Sequence, residues 1–172
     1  MSDFEVRFAT KKEAAEVANL HLIASRAAYA GQVPDAHWDA TPMAKRVSYW
    51  KEAIEYGEPQ VLVALEGDSI VGFVGYDRSR DKGTPNTMGE IWAIYAAPGY
   101  WGLGVGLSLW DAAREGLVDE GCINVSAWVP IGCDRAVRFH ELAGFKREMS
   151  SAKTVPVGSV KIEEIRLKRA LS

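Results

Sequence analysis

Apolar residues change their spacing along the chain, and these changes predict alternating strands and helices. A nearly continuous apolar run covers residues 91–97 and has the length and composition of a strand buried on both faces. Pro98 closes this strand, because proline cannot donate to a β-ladder. Apolar residues then recur at helical spacing between Leu107 and Leu117. The order here is therefore strand, glycine-containing loop and helix, with the helix expected over residues 103–119.

The same patterns predict the other elements. Strands are expected at residues 5–9, 60–66, 69–77, 122–129, 145–149 and 160–167, and helices at about 11–30, 42–54 and 134–143. Thr10 and Glu13 have the spacing of a capping box ahead of the first helix. The segment 31–40 is expected to be irregular because of its Gly, Pro and Asp content. A loop containing Pro156 and Gly158 is expected between the last two strands.

The predicted elements follow each other as β-α-α-β-β-β-α-β-α-β-β. A strand–helix–strand unit after residue 88 predicts a parallel pair, whereas the hairpin at Gly67-Asp68 predicts antiparallel pairing. We therefore expect a single α/β (α+β) domain over residues 1–172, with a mixed sheet of about seven strands flanked by about four helices.

Charge and composition narrow the possible partners. The 20 Lys and Arg residues against 23 Asp and Glu residues give a formal charge of −3 without long blocks of one sign. This argues against nucleic acid as a partner, since nucleic-acid binding relies on clustered basic residues. No apolar segment has membrane-spanning length, and we expect a cytoplasmic protein. Cys122 and Cys133 form no metal-ligand spacing with the three histidines, so no metal site is predicted and both thiols are expected to be reduced.

The glycine-containing loop points to an anion. A helix begins with N–H groups that have no partner within the helix, and its dipole adds positive charge at that end. Glycines at positions 102, 104 and 106 would let a phosphate or diphosphate approach these donors without meeting side chains. The alternative is that the glycines only make a tight turn. The P-loop and dinucleotide-binding patterns do not fit, because Leu107 and Leu109 occupy positions that those patterns reserve for other residues.

The segment Trp101-x-x-Gly104-x-Gly106 resembles motif A of the GNAT superfamily of acyl-CoA-dependent N-acyltransferases. That motif has a strand, a proline and then Arg/Gln-x-x-Gly-x-Gly/Ala, so both glycines match and Trp101 departs from it. A second resemblance covers residues 133–145, where the family has Asn-x-x-Ala-x-x-Phe-Tyr-x-x-x-Gly-Phe. Here Cys133 replaces the usual Asn and His140 replaces the usual Tyr. Residues 26–38 resemble a segment that is common in small-molecule members, and the element order is also that of the family.

The resemblance implies acetyl-CoA as cosubstrate and a set of residues that bind it. These residues are Ile94, Tyr95, Ala96, Trp101, Gly102, Leu103, Gly104, Val105 and Gly106. Residues 94–96 would accompany the pantetheine like an added strand, and backbone N–H groups of residues 102–106 would bind the diphosphate. A packing role is preferred for the Trp101 side chain. Trp38, Trp92 and Trp128 could line a substrate pocket, although aromatic residues on strands usually belong to the core.

Acetyl transfer to an amine needs groups that move protons, because an alkylammonium with a pKa of about 10 has no lone pair at neutral pH. By the resemblance, Glu90 is the candidate base, acting directly or through water. The alternative is a solvent-exposed glutamate at a strand end. His140 occupies the position of the tyrosine that protonates the leaving thiolate; the alternative is a packed histidine. Cys133 would lie about 10 Å from His140 along one helix, which argues against a Cys–His nucleophile.

The resemblance implies transfer of acetyl from acetyl-CoA to a primary amine, by direct attack in a ternary complex. A small-molecule acceptor is preferred because of residues 26–38. Two alternatives stay open: acetylation of a protein N-terminus or lysine, and a catalytically silent acyl-CoA-binding protein. The second is suggested by the departures at Trp101, Cys133 and His140. Neither a nucleic acid nor a membrane is expected as a partner, and a homodimer is kept open.

Overall fold

A seven-stranded mixed sheet runs through the computed structural model, which describes residues 4–171. Its strands are β1 Glu5–Phe8, β2 Gln60–Glu66, β3 Ser69–Arg78, β4 Met88–Ala96, β5 Asn124–Pro130, β6 Lys146–Val157 and β7 Val160–Ala170. They are arranged in the order β1-β2-β3-β4-β5-β7-β6. Only the β4–β5 pair is parallel within the described chain. The predicted mixed α/β sheet and the hairpin between β2 and β3 are confirmed.

Five α-helices cover the two faces of the sheet in the described part of the chain. They are α1 Ala14–Ala28, α2 Asp35–Asp39, α3 Met43–Tyr56, α4 Val105–Asp119 and α5 Asp134–Leu142. Helices α1 and α3 pack on one face around Val17, Trp50 and Phe73, whereas α4 and α5 pack on the other around Leu109 and Leu167. No helix among residues 4–171 is long and apolar enough to span a membrane.

Two local expectations at the start of the chain have different outcomes. The capping box is confirmed, since the Thr10 N–H donates to the Glu13 carboxylate at 2.9 Å. The irregular conformation expected for residues 31–40 was wrong, because this segment contains α2. This short helix follows Pro34 and buries Trp38 against Val33 in a small third core, so tertiary packing stabilises a helix that five residues would not form alone.

Strand β6 is longer than predicted. The loop expected around Pro156 was wrong, because β6 continues through Pro156 and pairs it with Lys161 of β7. Proline is tolerated there because β6 is the last strand of the sheet, and the N–H that proline lacks has no ladder partner on the outer side. The turn itself is two residues long, and Gly158 adopts a left-handed φ of +62° in it.

The central strand β4 leaves its neighbour β5 half-way along its length. Pairing runs from Met88 to Ile91 and ends where Ile91 faces Ala127. At the same level, the register with β3 shifts and Trp92 becomes an extra, bulged residue. The expectation of a strand buried on both faces was wrong for residues 92–96, which are partly exposed. They are exposed because a cleft replaces β5 beside them.

Candidate functional site

Two cavities meet in the cleft between β4 and β5. The sheet cavity, about 510 Å³, lies beside Glu90, Trp128 and Glu164. The loop cavity, about 310 Å³, lies beside the glycine loop and the start of α4. Six residues line both cavities: Ala28, Ile94, Tyr95, Cys133, Ala136 and His140. A ligand in one cavity can therefore contact a ligand in the other at the β4 edge.

The start of α4 presents unpaired donors to the loop cavity. Gly104 caps this helix with a left-handed φ of +92°, and no side chain caps it. The first helical N–H groups, at Val105, Gly106 and Leu107, have no acceptor within a helix, and these residues line the cavity. A Cβ added at Gly102 or Gly104 would have no atom within 4 Å. This open space fits the approach of an anion to the helix terminus.

Gly106 has a different role from the other two glycines. A Cβ at this position would lie 2.9 Å from the Phe139 ring of α5. The absence of a side chain thus lets α4 and α5 pack closely. The expectation that glycines 102, 104 and 106 all leave room for an anion was wrong for Gly106, because Phe139 fills the space beside it.

Of the residues expected to bind the cosubstrate, eight line the loop cavity, and Leu103 does not. The eight are Ile94, Tyr95, Ala96, Trp101, Gly102, Gly104, Val105 and Gly106. Leu103 is 59% exposed, and its N–H donates to the Tyr100 carbonyl at 3.3 Å, so its expected role in cosubstrate binding stays a prediction. The fold thus brings the β4 edge and the glycine loop to one cavity, although they are separated by a proline-containing turn.

Two arginines of α5 also line the loop cavity, and sequence analysis missed both. Arg135 places its guanidinium carbon 3.3 Å from the centroid of the Trp101 ring, and Arg138 lies nearby on the same helix. Trp101 in turn donates its indole N–H to the Ala96 carbonyl at 3.2 Å. Where the family motif has Arg or Gln, this chain therefore has a tryptophan that packs under an arginine from another element. The signal in the sequence is the placement of two arginines three residues apart in the predicted helix 134–143.

The backbone of β4 has a free edge in the cleft. The Ala97 N–H donates to Val71 of β3 at 2.9 Å, so the polar backbone groups of the preceding residue, Ala96, and of Ile94 point away from β3. Both residues lie beyond the end of the β4–β5 pairing at Ile91. The Ala96 carbonyl accepts from the Trp101 indole, so an extended chain lying in the cleft could hydrogen-bond to the Ala96 N–H and to the backbone of Ile94 as an added strand does.

Glu90 lines the sheet cavity and is 1% exposed. The Arg80 backbone N–H donates to Oε1 at 2.9 Å, and the Arg80 guanidinium donates to Oε2. The alternative of a solvent-exposed glutamate at a strand end is therefore wrong. A buried carboxylate is costly unless it is hydrogen-bonded and paired, and Arg80 supplies both interactions.

His140 lies at the junction of the two cavities and is 5% exposed. Its Nδ1 is 2.8 Å from the Ala136 carbonyl, and this acceptor requires the proton on Nδ1, which leaves a lone pair on Nε2. Burial lowers the pKa of His140, and the bond to Ala136 offsets only part of this effect. A neutral imidazole must therefore receive a proton before it can give one. Cys133, also buried and free, precedes the same helix.

The three tryptophans considered for a pocket separate into two groups. Trp92 and Trp128 line the sheet cavity, and each ring is covered by a cation: Arg80 at 4.1 Å and Lys153 at 3.7 Å, respectively. Trp38 instead belongs to the small core of α2. The Trp128 indole N–H also donates to Asp81 at 3.1 Å, which ties the loop after β3 to the wall of the cavity.

The sequence matches a family model over most of its length. The family model described as the acetyltransferase (GNAT) family matches residues 26–145. No curated protein sequence matches the chain.

Solved structures with the same fold cover almost the whole chain. One is the structure of yncA from Salmonella typhimurium with its cofactor acetyl-CoA, which is 18% identical and has a TM-score of 0.75. The match covers 99% of this chain and 95% of that one. Another is a GCN5-related N-acetyltransferase from Rhodopseudomonas palustris, which is 18% identical and has a TM-score of 0.77. The match covers 99% of this chain and 97% of that one. A third is PaiA N-acetyltransferase from Thermoplasma acidophilum, in complex with coenzyme A: TM-score 0.74, 15% identity, 99% of both chains covered.

Proposed function

Because this chain belongs to the GNAT family of acetyltransferases, we propose that it transfers the acetyl group of acetyl-CoA to a primary amine of a small molecule by direct attack in a ternary complex. The observation that carries the proposal is the meeting of two cavities at a free strand edge, beside His140. One cavity has the donors that a diphosphate needs, and the other has a buried carboxylate and room for an acceptor.

In this proposal acetyl-CoA occupies the loop cavity. Its diphosphate accepts hydrogen bonds from the N–H groups at the start of α4, and Arg135 and Arg138 supply positive charge. Its pantetheine lies along Ile94 and Ala96, whose backbone groups face the cleft. Structural relatives determined with acetyl-CoA or coenzyme A support this choice of cosubstrate.

The acceptor enters the sheet cavity as an ammonium ion and must lose two protons. Glu90 takes the first, directly or through water, and frees the lone pair of the nitrogen. The nitrogen attacks the thioester carbonyl and forms a tetrahedral intermediate. His140 then accepts the second proton from this nitrogen on Nε2. As the C–S bond breaks, His140 returns the proton to the departing sulfur, so that the products are an amide and a thiol.

Two measurements test the proposal. The first is thermal unfolding with acetyl-CoA, NAD or ATP, since a ligand at about 100 times its Kd adds roughly 2.7 kcal/mol to the stability of the native state. We expect a clear shift with acetyl-CoA and little with the other two. The second is thiol release from acetyl-CoA with a panel of small amines, N-terminal peptides and lysine peptides. A shift without thiol release from any acceptor would indicate a silent acyl-CoA-binding protein.

A further inference from the structure

Arg135 is a cation whose anionic partner is missing from the described protein. It is the second residue of α5 and lines the loop cavity. Between residues 4 and 171 no carboxylate forms an ion pair with Arg135, and no oxygen accepts a hydrogen bond from its guanidinium. Burial lowers its pKa, as expected for a charge that loses water without gaining an anion. A phosphate group in the loop cavity would supply this anion.

The Arg135 guanidinium lies flat on the Trp101 ring. Its central carbon is 3.3 Å from the ring centroid, and this distance leaves no room for an edge-on orientation. A stacked guanidinium turns its face to the ring and keeps its N–H donors free at the edge. Stacking on Trp101 therefore uses none of the hydrogen bonds that Arg135 can give to a phosphate.

The Trp101 ring is itself fixed to the sheet. Its indole N–H donates to the Ala96 carbonyl at the β4 edge, at 3.2 Å, and the residue is partly buried at the wall of the loop cavity. Arg135 is exposed, and an exposed arginine samples many rotamers, so that a ligand must pay for ordering it. The stacked ring orders the guanidinium before the ligand arrives and removes part of this cost.

We propose that Trp101 is a positioning residue, which holds the Arg135 guanidinium in place to bind the diphosphate of coenzyme A. This inference rests on the proposed function for the identity of the ligand. Trp101 stands where the family motif has Arg or Gln, so α5 supplies a charge that this position lacks. Arg138 lines the same cavity but stacks on no ring in the described chain. Its contribution to binding is therefore independent of Trp101.

A double-mutant cycle, measured by calorimetric titration with coenzyme A, tests this role. Trp101→Leu should weaken binding about fivefold, the scale of a cation–π contact. In an Arg135→Gln background it should cause no further loss, because the side chain that it positions is gone. In an Arg138→Gln background it should again cost about fivefold. Arg138 is the matched control, since it brings the same charge to the same cavity. No loss in the parent protein, or equal losses in all three backgrounds, would overturn the proposal.

A second variant tests whether the charge is what matters at this position. Trp101→Arg in the Arg135→Gln background returns a guanidinium to the wall of the loop cavity. It should recover most of the lost affinity, together with the salt dependence that a charge contact gives. Trp101 is only partly buried, and unfolding midpoints without ligand should confirm that each variant is folded. If Trp101→Arg recovers no more affinity than Trp101→Leu in the same background, the proposal is wrong.

Two further probes identify the phosphate. Dephospho-coenzyme A keeps the diphosphate and lacks the 3′-phosphate, and it should show the same coupling between Trp101 and Arg135. A coupling confined to coenzyme A would place Arg135 on the 3′-phosphate and contradict the proposal. Inorganic diphosphate tests the site without the proposed function. If it binds with this coupling while coenzyme A does not bind, the proposed function is refuted and the positioning role stands. If neither binds the parent protein, both are refuted.

Discussion

Arg80 donates to both oxygens of the Glu90 carboxylate, from its backbone N–H to Oε1 and from its guanidinium to Oε2. Glu90 is 1% exposed, whereas the Arg80 side chain is half-exposed. The carboxylate is therefore held in a fixed position by a residue of the loop between β3 and β4. Oε2 accepts from two nitrogens of the guanidinium, whereas Oε1 accepts only from the backbone N–H, so a lone pair of Oε1 stays free for a further hydrogen bond.

Glu90→Gln should lower turnover about 100-fold or more, the scale of general acid–base catalysis. The amide keeps an oxygen for the Arg80 backbone N–H but cannot accept a proton. Acetyl-CoA affinity should be largely kept, because Glu90 lines only the sheet cavity. Steady-state kinetics with an acceptor from the amine panel check this, with Glu163→Gln as the control for charge. Unchanged turnover would rule out Glu90 as the base.

His140→Phe should lower turnover modestly, since a thiolate is a fairly good leaving group and needs little protonation. His140→Tyr restores a hydroxyl at the position where the family motif has tyrosine, and it should recover much of the loss. The turnover of the parent protein should fall in acid, because protonation of His140 Nε2 removes the lone pair that accepts a proton from the acceptor nitrogen. Burial lowers the pKa of His140, so this fall should lie below pH 6.5. Equal activity of parent and His140→Phe would identify a packing residue.

Arg135→Gln should weaken acetyl-CoA binding about tenfold, because it removes a charge from the loop cavity and leaves Trp101 without its stacked guanidinium. The loss should shrink at high salt, since exposed charges are screened. Arg147→Gln is the matched control, because Arg147 lies outside both cavities and pairs with Glu141 on the surface. Titration calorimetry at two salt concentrations measures both variants. Equal losses in the two would refute a specific role for Arg135.

Gly104→Ala should weaken acetyl-CoA binding more than it weakens the fold. Its φ of +92° strains any side chain, and the added methyl group would stand in the open approach to the start of α4. Gly121→Ala carries nearly the same strain, at φ +88°, in open space after α4, and it separates strain from ligand contact. Unfolding midpoints and acetyl-CoA affinity should be compared for both. If the two variants bind equally well, the glycine serves only the turn.

His21 should make the fold sensitive to acid. It packs among Trp50, Phe73 and Tyr95, and burial, with a smaller effect of Arg46, lowers its pKa to about 4. Between pH 6.5 and 4 the unfolded chain binds a proton that the folded chain does not, so stability falls as pH falls, by about 3 kcal/mol over this range. His21→Phe should reduce this loss in urea unfolding at pH 7, 5.5 and 4.5. An unchanged pH dependence would contradict a neutral His21 packed among these rings.

Local signals in the sequence were sufficient for most of the fold. Gly67-Asp68 between two apolar runs predicted the β2–β3 hairpin because a two-residue turn sets its own register. Pro156 misled the prediction of β6, since only the sheet order shows that this strand has a free side. Helix α2 was missed because its stability depends on the burial of Trp38. Local patterns do not contain such long-range information.

The site was predictable where the chain itself brings residues together. The β4 edge and the glycine loop are consecutive in sequence, and both line the loop cavity. Arg135 and Glu164 come from α5 and β7, and the sequence gives no sign that they approach residues 94–104. Their positions depend on the parallel β4–β5 pair and on the insertion of β7 between β5 and β6, which are properties of the whole sheet.

Beyond Ile91, β4 is an edge strand in the middle of a sheet. Such edges are hazardous, because unpaired backbone groups recruit strands of other molecules and promote aggregation. The outer edges are protected conventionally: β1 has only four residues and β6 contains Pro156. The inner edge lies instead in a cleft bounded by Ala28 and His140. A chain without side chains needs less width in this bounded cleft than a strand with side chains on both faces, so the cleft favours an unbranched ligand over a strand of another molecule, and the open edge is a poor template for aggregation.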